Sequence, residues 1–527
     1  MRLRLVALFA FALALPGLAH AGDFVDTRLN FTLTDENLLV KPGETNPSVP
    51  GLRIGMPSRL GILFFDNYDT RYSGYENLSH VVVYKKKEWK QNEAEAAFVL
   101  RFLEISDLSN QIIDDGSYLK ITHYLSPERK NNANVSATLF PLSGDRMRLG
   151  FSYRISWGGS PVFFKPNPDN PTGSTGSNSN PVPAAKIQFA TDRFYVYAGA
   201  KTSVFLNPAT NEQEAHAGGL IGAGVDVIPA LRLEANGGYF DRGGNPKEEL
   251  LGSAVRMAGV SGRLTYHHGM AVGSSADYAL YRNDPSSVGF WFQKESYPGG
   301  MAYLASGSFN YLAQTLQDAD RAASTKWQGA MAGDVLLRMK YNYTRLHLTF
   351  MYRSLAYILN NVPSFVPFQD FPSAAKAGGE LFAAAGASQY LPRPHLTLGG
   401  TFGVQRPATF RAPTLPPELT GNNPSPSLTQ SATMVVRQEG DVSLLPPGKG
   451  EVPIIAAKGF VRLDFLEYFA AILDVYYVHD ANQAKLCRSF DGTTCAPADA
   501  PSRESEFVRT FIKPDQLGFN LTLQARF

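Results

Sequence analysis

Two cysteines and nine histidines offer the most specific chemistry in this chain. Cys487 and Cys495 flank Asp491 and Gly492, a good turn pair. A C-x7-C pair with no histidine beside it suits zinc poorly, whereas in an oxidising compartment two such cysteines form a disulfide. The expected bridge stiffens a loop and carries no reaction. His267 and His268 are the only adjacent histidines. On a strand they would point to opposite faces and could not chelate one ion. No G-x-S-x-G, H-E-x-x-H or Walker pattern occurs. The expectation is therefore no catalytic residue, no metal and no cofactor. A hydrolase with its site spread over several strands is the enzymatic rival.

The second chemical feature is a set of charges placed every other residue within otherwise apolar segments. Arg148, Arg154, Arg232, Arg338, Lys340, Arg345, Arg353, Arg462 and Arg526 fall on the polar side of the alternation. Asp226, Glu234, Asp334, Asp464 and Asp474 stand against them. An apolar core could not hold so many charges unless each were paired. A wet interior could. Arg338 and Lys340 lie on one segment, Arg345 and Arg353 on the next, with Asn342 and Tyr343 as the turn between them. Adjacent strands are about 4.8 Å apart, so these four would share a wall, with Asp334 as the acidic residue nearby. Two readings follow: a positive patch that favours anions, or charges that pair across strands and select nothing.

The elements that must carry these residues are strands. In residues 146–157, Met147, Leu149, Phe151, Tyr153, Ile155 and Trp157 alternate with Arg148, Gly150, Ser152, Arg154 and Ser156. Val335, Leu337, Met339 and Tyr341 alternate with Asp334, Arg338 and Lys340. Leu346, Leu348, Phe350 and Tyr352 alternate with Arg345, His347, Thr349 and Arg353. The C-terminus is the clearest case. Leu517, Phe519, Leu521, Leu523, Ala525 and Phe527 fall on one face, and Gly518, Asn520, Thr522, Gln524 and Arg526 on the other. Such a segment is long enough to cross a bilayer at a tilt.

With its alternating last strand and terminal Phe527, the chain resembles the large porin-like class of Gram-negative outer-membrane β-barrels. The resemblance implies that Phe519, Leu521, Leu523 and Phe527 form a signal for the barrel-insertion machinery. It implies no subfamily. Beyond the first residues no run of 18 apolar residues occurs, so membrane-spanning helices are not expected. Charged residues are 18% of the chain and aromatics 12%, with 24 Tyr and 34 Phe, which suits strands with one face in lipid. A net charge of +2 gives no electrostatic support to a nucleic-acid partner.

The N-terminus reads as an export signal. Arg2 and Arg4 precede an apolar stretch from Leu5 to Leu15, Pro16 and Gly17 break it, and Ala19, His20 and Ala21 supply a cleavage pattern. Residues 1–21 are the expected signal peptide, and residues 22–527 one all-β domain. This is a closed antiparallel transmembrane barrel of about 18 strands (an even number, about 16–22) with short periplasmic turns and long extracellular loops. Residues 22–57 are irregular enough to sit partly inside the barrel or at its periplasmic end. Residues 406–451 are expected as a long external loop, although 431–437 by themselves read as a strand. Lys85, Lys86, Lys87 and Lys90 beside Trp89 suggest either a site for lipopolysaccharide phosphates or a solvated strand end.

Taken together these features point to a porin-like channel or transporter for small polar solutes in the outer membrane. Its expected partners are outer-membrane lipid, lipopolysaccharide and the insertion machinery, with a homo-oligomer or an envelope complex as further options. The rival is a barrel component of a cell-surface secretion, adhesion or motility complex, with long loops as its binding surface.

Overall fold

The computed structural model describes residues 24–32, 53–54, 79–102, 112–114, 116–142, 147–151, 155–156, 162–163, 183–207, 209–245, 247–269, 300–359, 369–412, 432–438, 441–465, 469–491, 495 and 506–526. The sequence-based expectations for residues 1–21, Arg154 and Phe527 lie outside these residues, and the side chains of Arg148 and Arg526 are also not described.

The chain is all-β, built on one large antiparallel sheet. Its main strands are β1 (Phe24–Thr32), β2 (Ser79–Trp89), β3 (Asn92–Phe102), β4 (Tyr118–Tyr124), β5 (Asn134–Phe140) and β6 (Ala184–Ala190). There follow β7 (Phe194–Leu206), β8 (Gln213–Ile228), β9 (Leu231–Gly244), β10 (Ala254–His268), β11 (Met301–Asp318) and β12 (Arg321–Tyr341). The series ends with β13 (Thr344–Arg353), β14 (Glu380–Leu391), β15 (Leu396–Arg406), β16 (Ile454–Asp464), β17 (Phe469–His479) and β18 (Asp515–Arg526). From β2 to β18 each strand pairs with the next in sequence. β1 pairs with β2 on one side and with β18 on the other. Residues 24–32 are thus a strand of the wall, while 33–52 and 55–57, the rest of the segment expected partly inside the barrel or at its end, lie outside the described residues.

Side-chain alternation divides the sheet into two faces. Val335, Leu337, Leu348, Phe350, Phe402, Leu398 and Leu523 are exposed, while Asp334, Lys340, Arg345, Thr349, Thr401, Asn520 and Thr522 are buried. The period of two forces this division, because successive Cβ atoms leave opposite sides of a strand. His267 and His268, adjacent on β10, accordingly fall on opposite faces.

Connections at one end are short: residues 90–91, 191–193, 229–230, 342–343 and 392–395. Asn342 takes a left-handed backbone at φ 48°, and its side-chain oxygen accepts the Gly300 amide at 3.2 Å. Asparagine tolerates that conformation better than other non-glycine residues. Two connections at this same end are longer, residues 125–133 and the 32 residues of 269–300. The long connections between β13 and β14, β15 and β16, and β17 and β18 leave the opposite end.

Two of the long connections build a second, small sheet. Its strands are Lys376–Gly378, Ala408–Arg411, Thr433–Gln438 and Asp441–Leu444. The stretch that reads as a strand at 431–437 is one over Thr433–Gln438, and it pairs outside the wall. Helix α1 (Leu355–Ile358) packs Leu355 and Ile358 with Phe410, Met434, Val436 and Leu444. Ser354 caps it, accepting the Tyr357 amide at 3.3 Å. This unit sits as a cap at the long-loop end.

Candidate functional site

The buried face of the wall collects the polar residues singled out by their spacing, and the structure pairs most of those it describes. Arg232 forks onto Asp226, Nε to Oδ1 at 2.5 Å and Nη2 to Oδ2 at 2.7 Å. Their strands are opposed in register at this pair, so the short turn at 229–230 sets the contact. Glu234 accepts from Arg263 at 2.5 Å and from the Tyr195 hydroxyl at 2.8 Å. Arg462 donates to Asp464 at 2.8 Å and to Gln524 at 3.3 Å. Asp474 lies 3.7 Å from Lys458 and accepts from Asn520 at 3.4 Å. The planar guanidinium of Arg232 makes its pair bidentate, and breaking a pair on this face would strand its buried partner.

The expected wall patch is smaller than the sequence suggested. Arg353 pairs with Glu380 at 2.5 Å, because β14 lies beside β13 and brings Glu380 directly opposite. Asp334 is thus not the sole acidic residue near it, and Arg353 drops out of the positive patch. Lys340 and Arg345 remain cross-strand neighbours, and Arg338 faces His347. Both Lys340 and Arg345 are buried. Asp334 itself bonds the Ser308 hydroxyl.

The described parts of the segment 146–157, residues 147–151 and 155–156, are not a wall strand. Arg148–Leu149 pairs only with Ile155–Ser156, in a sheet of its own. Met147, Leu149 and Phe151, expected on the lipid side, are buried against the inner face of β7, β9 and β10. A Cβ on Gly199 would stand 2.5 Å from Met147 Cε, and one on Gly259 would stand 2.5 Å from Leu149 Cδ2. The wall therefore carries glycine at both of these contacts. Asn236 holds Gly150 from both sides, accepting its amide at 3.2 Å and donating to its carbonyl at 3.5 Å. Lys201 donates to the Met147 carbonyl at 2.9 Å, and the Arg263 guanidinium lies over the Phe151 ring at 5.0 Å. The same alternation that marks a lipid-facing strand has here been used to dock a loop on the polar face.

The cap is fastened to the wall by a polar network. Arg437 donates to Asp480 at 2.5 Å. Its carbonyl accepts from Gln405 at 3.3 Å and from Arg353 at 3.5 Å. Gln405 also donates to Glu380. In α1, Tyr357 accepts Asn310 of β11 through its hydroxyl at 2.9 Å. Outside the cap, Cys487 and Cys495 are joined by a disulfide with Cα atoms 5.5 Å apart, on a hairpin of Ala484–Ser489 and Glu506–Phe511. The lysine run lies at the short-turn end, where Lys86 bridges Glu88 and Glu93 at 2.9 Å each. That end is opposite the three long connections that follow β13, β15 and β17.

Arg263, Lys458, Glu380, Arg437 and Asp480 take part in these networks and were not singled out by sequence. Counting back in twos from Arg462 reaches Lys458, so that signal was available. No local signal marks Glu380 or Arg437, whose roles depend on strands distant in the chain. Among the described residues no group of three or more His, Cys, Asp or Glu could hold a metal.

No family model and no curated protein matches the chain. Similar solved structures include Pseudomonas aeruginosa OpdQ, at 7% identity and TM-score 0.41, covering 96% of this chain and 97% of that one. OmpT, an outer membrane protein of Vibrio cholerae, is 9% identical at TM-score 0.32, covering 98% of this chain and 100% of that one. Wzi of Escherichia coli, an outer-membrane protein of capsule assembly and a carbohydrate-binding β-barrel, is 8% identical at TM-score 0.30, covering 100% of this chain and 87% of that one.

Proposed function

We propose that β1–β18 close as an 18-stranded transmembrane barrel in the outer membrane and that the protein is a narrow channel for small polar solutes. The observation that carries this reading is the division of the wall. Its exposed face presents Ile187, Ile221, Val260, Phe309, Val335 and Phe402. A soluble protein rarely exposes so extensive an apolar surface. Trp89, Phe194, Tyr266, Tyr341, Tyr343 and Phe465 stand exposed near the short-turn end, and Tyr239, Tyr311, Trp327 and Tyr477 nearer the loops. Two aromatic zones flanking an apolar band are the arrangement a bilayer favours. Return of the pairing from β18 to β1 supports closure, which leaves no edge unsatisfied in lipid.

The buried face is the lumen in this reading, with Arg232, Glu234, Arg338, Lys340, Arg345, Arg462, Asp464 and Asp474 along its walls. Most of these charges are paired, which supports a solvated lumen of weak selectivity; the anion preference rests on Arg338, Lys340 and Arg345. The docked segment 147–151 and the cap narrow the passage. Single-channel recording in a planar bilayer tests the proposal. Discrete steps are expected, smaller than an unobstructed barrel of this circumference would give. A purified, membrane-inserted protein that conducts nothing would refute it. The rival reading, a surface-complex component, is favoured by one observation: the cap has a packed apolar cluster of its own.

A further inference from the structure

We infer that the cap carries a binding pocket for an anionic oxygen group, a phosphate or a carboxylate, at the outer mouth. The pocket has a volume of about 370 Å³ and is lined by Lys376, Arg411, Thr433 and the turn at 448–450, with Ala374 and Ala412 beside them. Three of its walls come from neighbouring strands of the small sheet. Lys376 is directly opposite Arg411, and Arg411 is directly opposite Thr433. Directly opposed side chains on a sheet lie about 5 Å apart, and two like charges so placed repel. Among the described residues one carboxylate stands against them. Glu451 is shared between Arg411 at 2.9 Å and Arg406 at 3.3 Å. Lys376 and Lys449 are in no ion pair among the described residues.

The third cation is placed by a turn. Pro446 accepts the Lys449 amide at 3.1 Å, with Pro447 and Gly448 between them. Gly448 has φ +75°, the conformation that the third position of a type II turn requires. Proline and glycine thus fix the backbone that brings Lys449 round to Lys376 and Arg411. Arg411 spends one nitrogen on Glu451 and keeps the rest of its fork, and Thr433, which carries a hydroxyl, lines the pocket beside it. Three cations and a hydroxyl converging on one cavity, with a single shared carboxylate, match the donors that a phosphate or carboxylate needs. Anion binding would also relieve the repulsion between Lys376 and Arg411.

The shared chemistry admits two sources, a dissolved anion or the phosphate of a lipid headgroup. The test uses the full chain in detergent at low salt and reads binding, not conduction, so a non-conducting barrel would leave it intact. Inorganic phosphate and gluconate are titrated calorimetrically, with glucose as the neutral control. Wild type is expected to bind both anions and not glucose, and K376Q/K449Q to bind them about tenfold more weakly. Both lysines are exposed and unpaired, so the variant should keep the cap folded, which unchanged amide exchange across 433–437 would establish. In a second arm, vesicles with and without a phosphoglycolipid report the lipid source. Capture that needs the phosphoglycolipid and is lost in K376Q/K449Q, without binding of soluble phosphate, assigns the pocket to a headgroup. Equal phosphate affinity in wild type and variant, glucose bound as well as gluconate, or no anion bound from either source overturns the inference.

Discussion

Single residues on this wall are constrained by which face they occupy and how deep they lie. Val335 is 51% exposed and sits midway between Trp327 and Tyr341 on the outer face of β12. Arginine at a mid-bilayer lipid-facing position costs about 2–4 kcal/mol, falling to about 0–1 near the interface. Val335→Arg is therefore expected to lose about 2–4 kcal/mol of stability in lipid, and Tyr341→Arg about 1 or less. Reversible urea unfolding from vesicles measures both, and equal losses would mean the exposed face is not in lipid. On the inner face, Gly222 lies under the Tyr197 ring, where an added Cβ would come within 2.5 Å. Gly219, three residues away on the outer face, has nothing closer than 3.6 Å. Overpacking costs about 1–3 kcal/mol, so Gly222→Ala should be destabilising by about that much and Gly219→Ala close to neutral.

At the scale of elements, the docked segment is the part of the structure with the plainest mechanical role. It has two residues of ladder on each side and depends on the wall for its place. Gly259→Leu would fill the space that Leu149 occupies. Asn236→Ala would remove both of the bonds to Gly150, at a cost of about 1–3 kcal/mol to the docked state. If the segment narrows a conducting lumen, each substitution should raise single-channel conductance while leaving the β-sheet signal in circular dichroism unchanged. Unchanged conductance in both would mean that the segment does not limit flow. The hairpin with the disulfide is a different kind of element. A digest of unreduced protein should yield the Cys487 and Cys495 peptides linked, and two free thiols would remove the bridge.

For the molecule as a whole, the cap and the wall are two apolar clusters that share Phe371 and helix α1 and are also joined by charge. One part of the joint titrates. Burial opposes ionisation of Glu451, but its backbone hydrogen bond and the guanidinium groups of Arg406 and Arg411 outweigh that and hold its carboxyl below the ordinary glutamate range. A depressed folded value means that the stabilisation is fully present above the unfolded value of about 4.3 and is lost as pH falls through the folded value. Protection from hydrogen exchange in the cap, taken relative to the intrinsic rate at each pH, is thus expected to be steady from neutral pH down to about pH 5 and to fall below about pH 4. Glu451→Gln should show the lower protection at all these pH values. If its exchange kept the wild-type pH dependence, the transition would belong to another group.

Period-two alternation was enough to establish strands and their two faces, because side-chain direction along a strand is a local property. Asn520 and Thr522 against Leu521 and Leu523 could be sorted without knowing any neighbour. The turn at 342–343 and the C-x7-C spacing were equally local, and both correspond to short-range geometry in the structure. What lay beyond the sequence was which strand stands beside which loop. Residues 147–151 alternate as a lipid-facing strand does, yet lie on the polar face, since only the assembled wall presents Gly199, Gly259 and Asn236 to them. Arg353 read as part of a positive patch until β14 brought Glu380 opposite it across 27 residues of chain. Lys376, Arg411 and Lys449 carry no shared motif. They meet because strands from two different connections pair in the cap. Periodicity is written residue by residue, whereas charge compensation and cavities arise from contacts between segments distant in the chain.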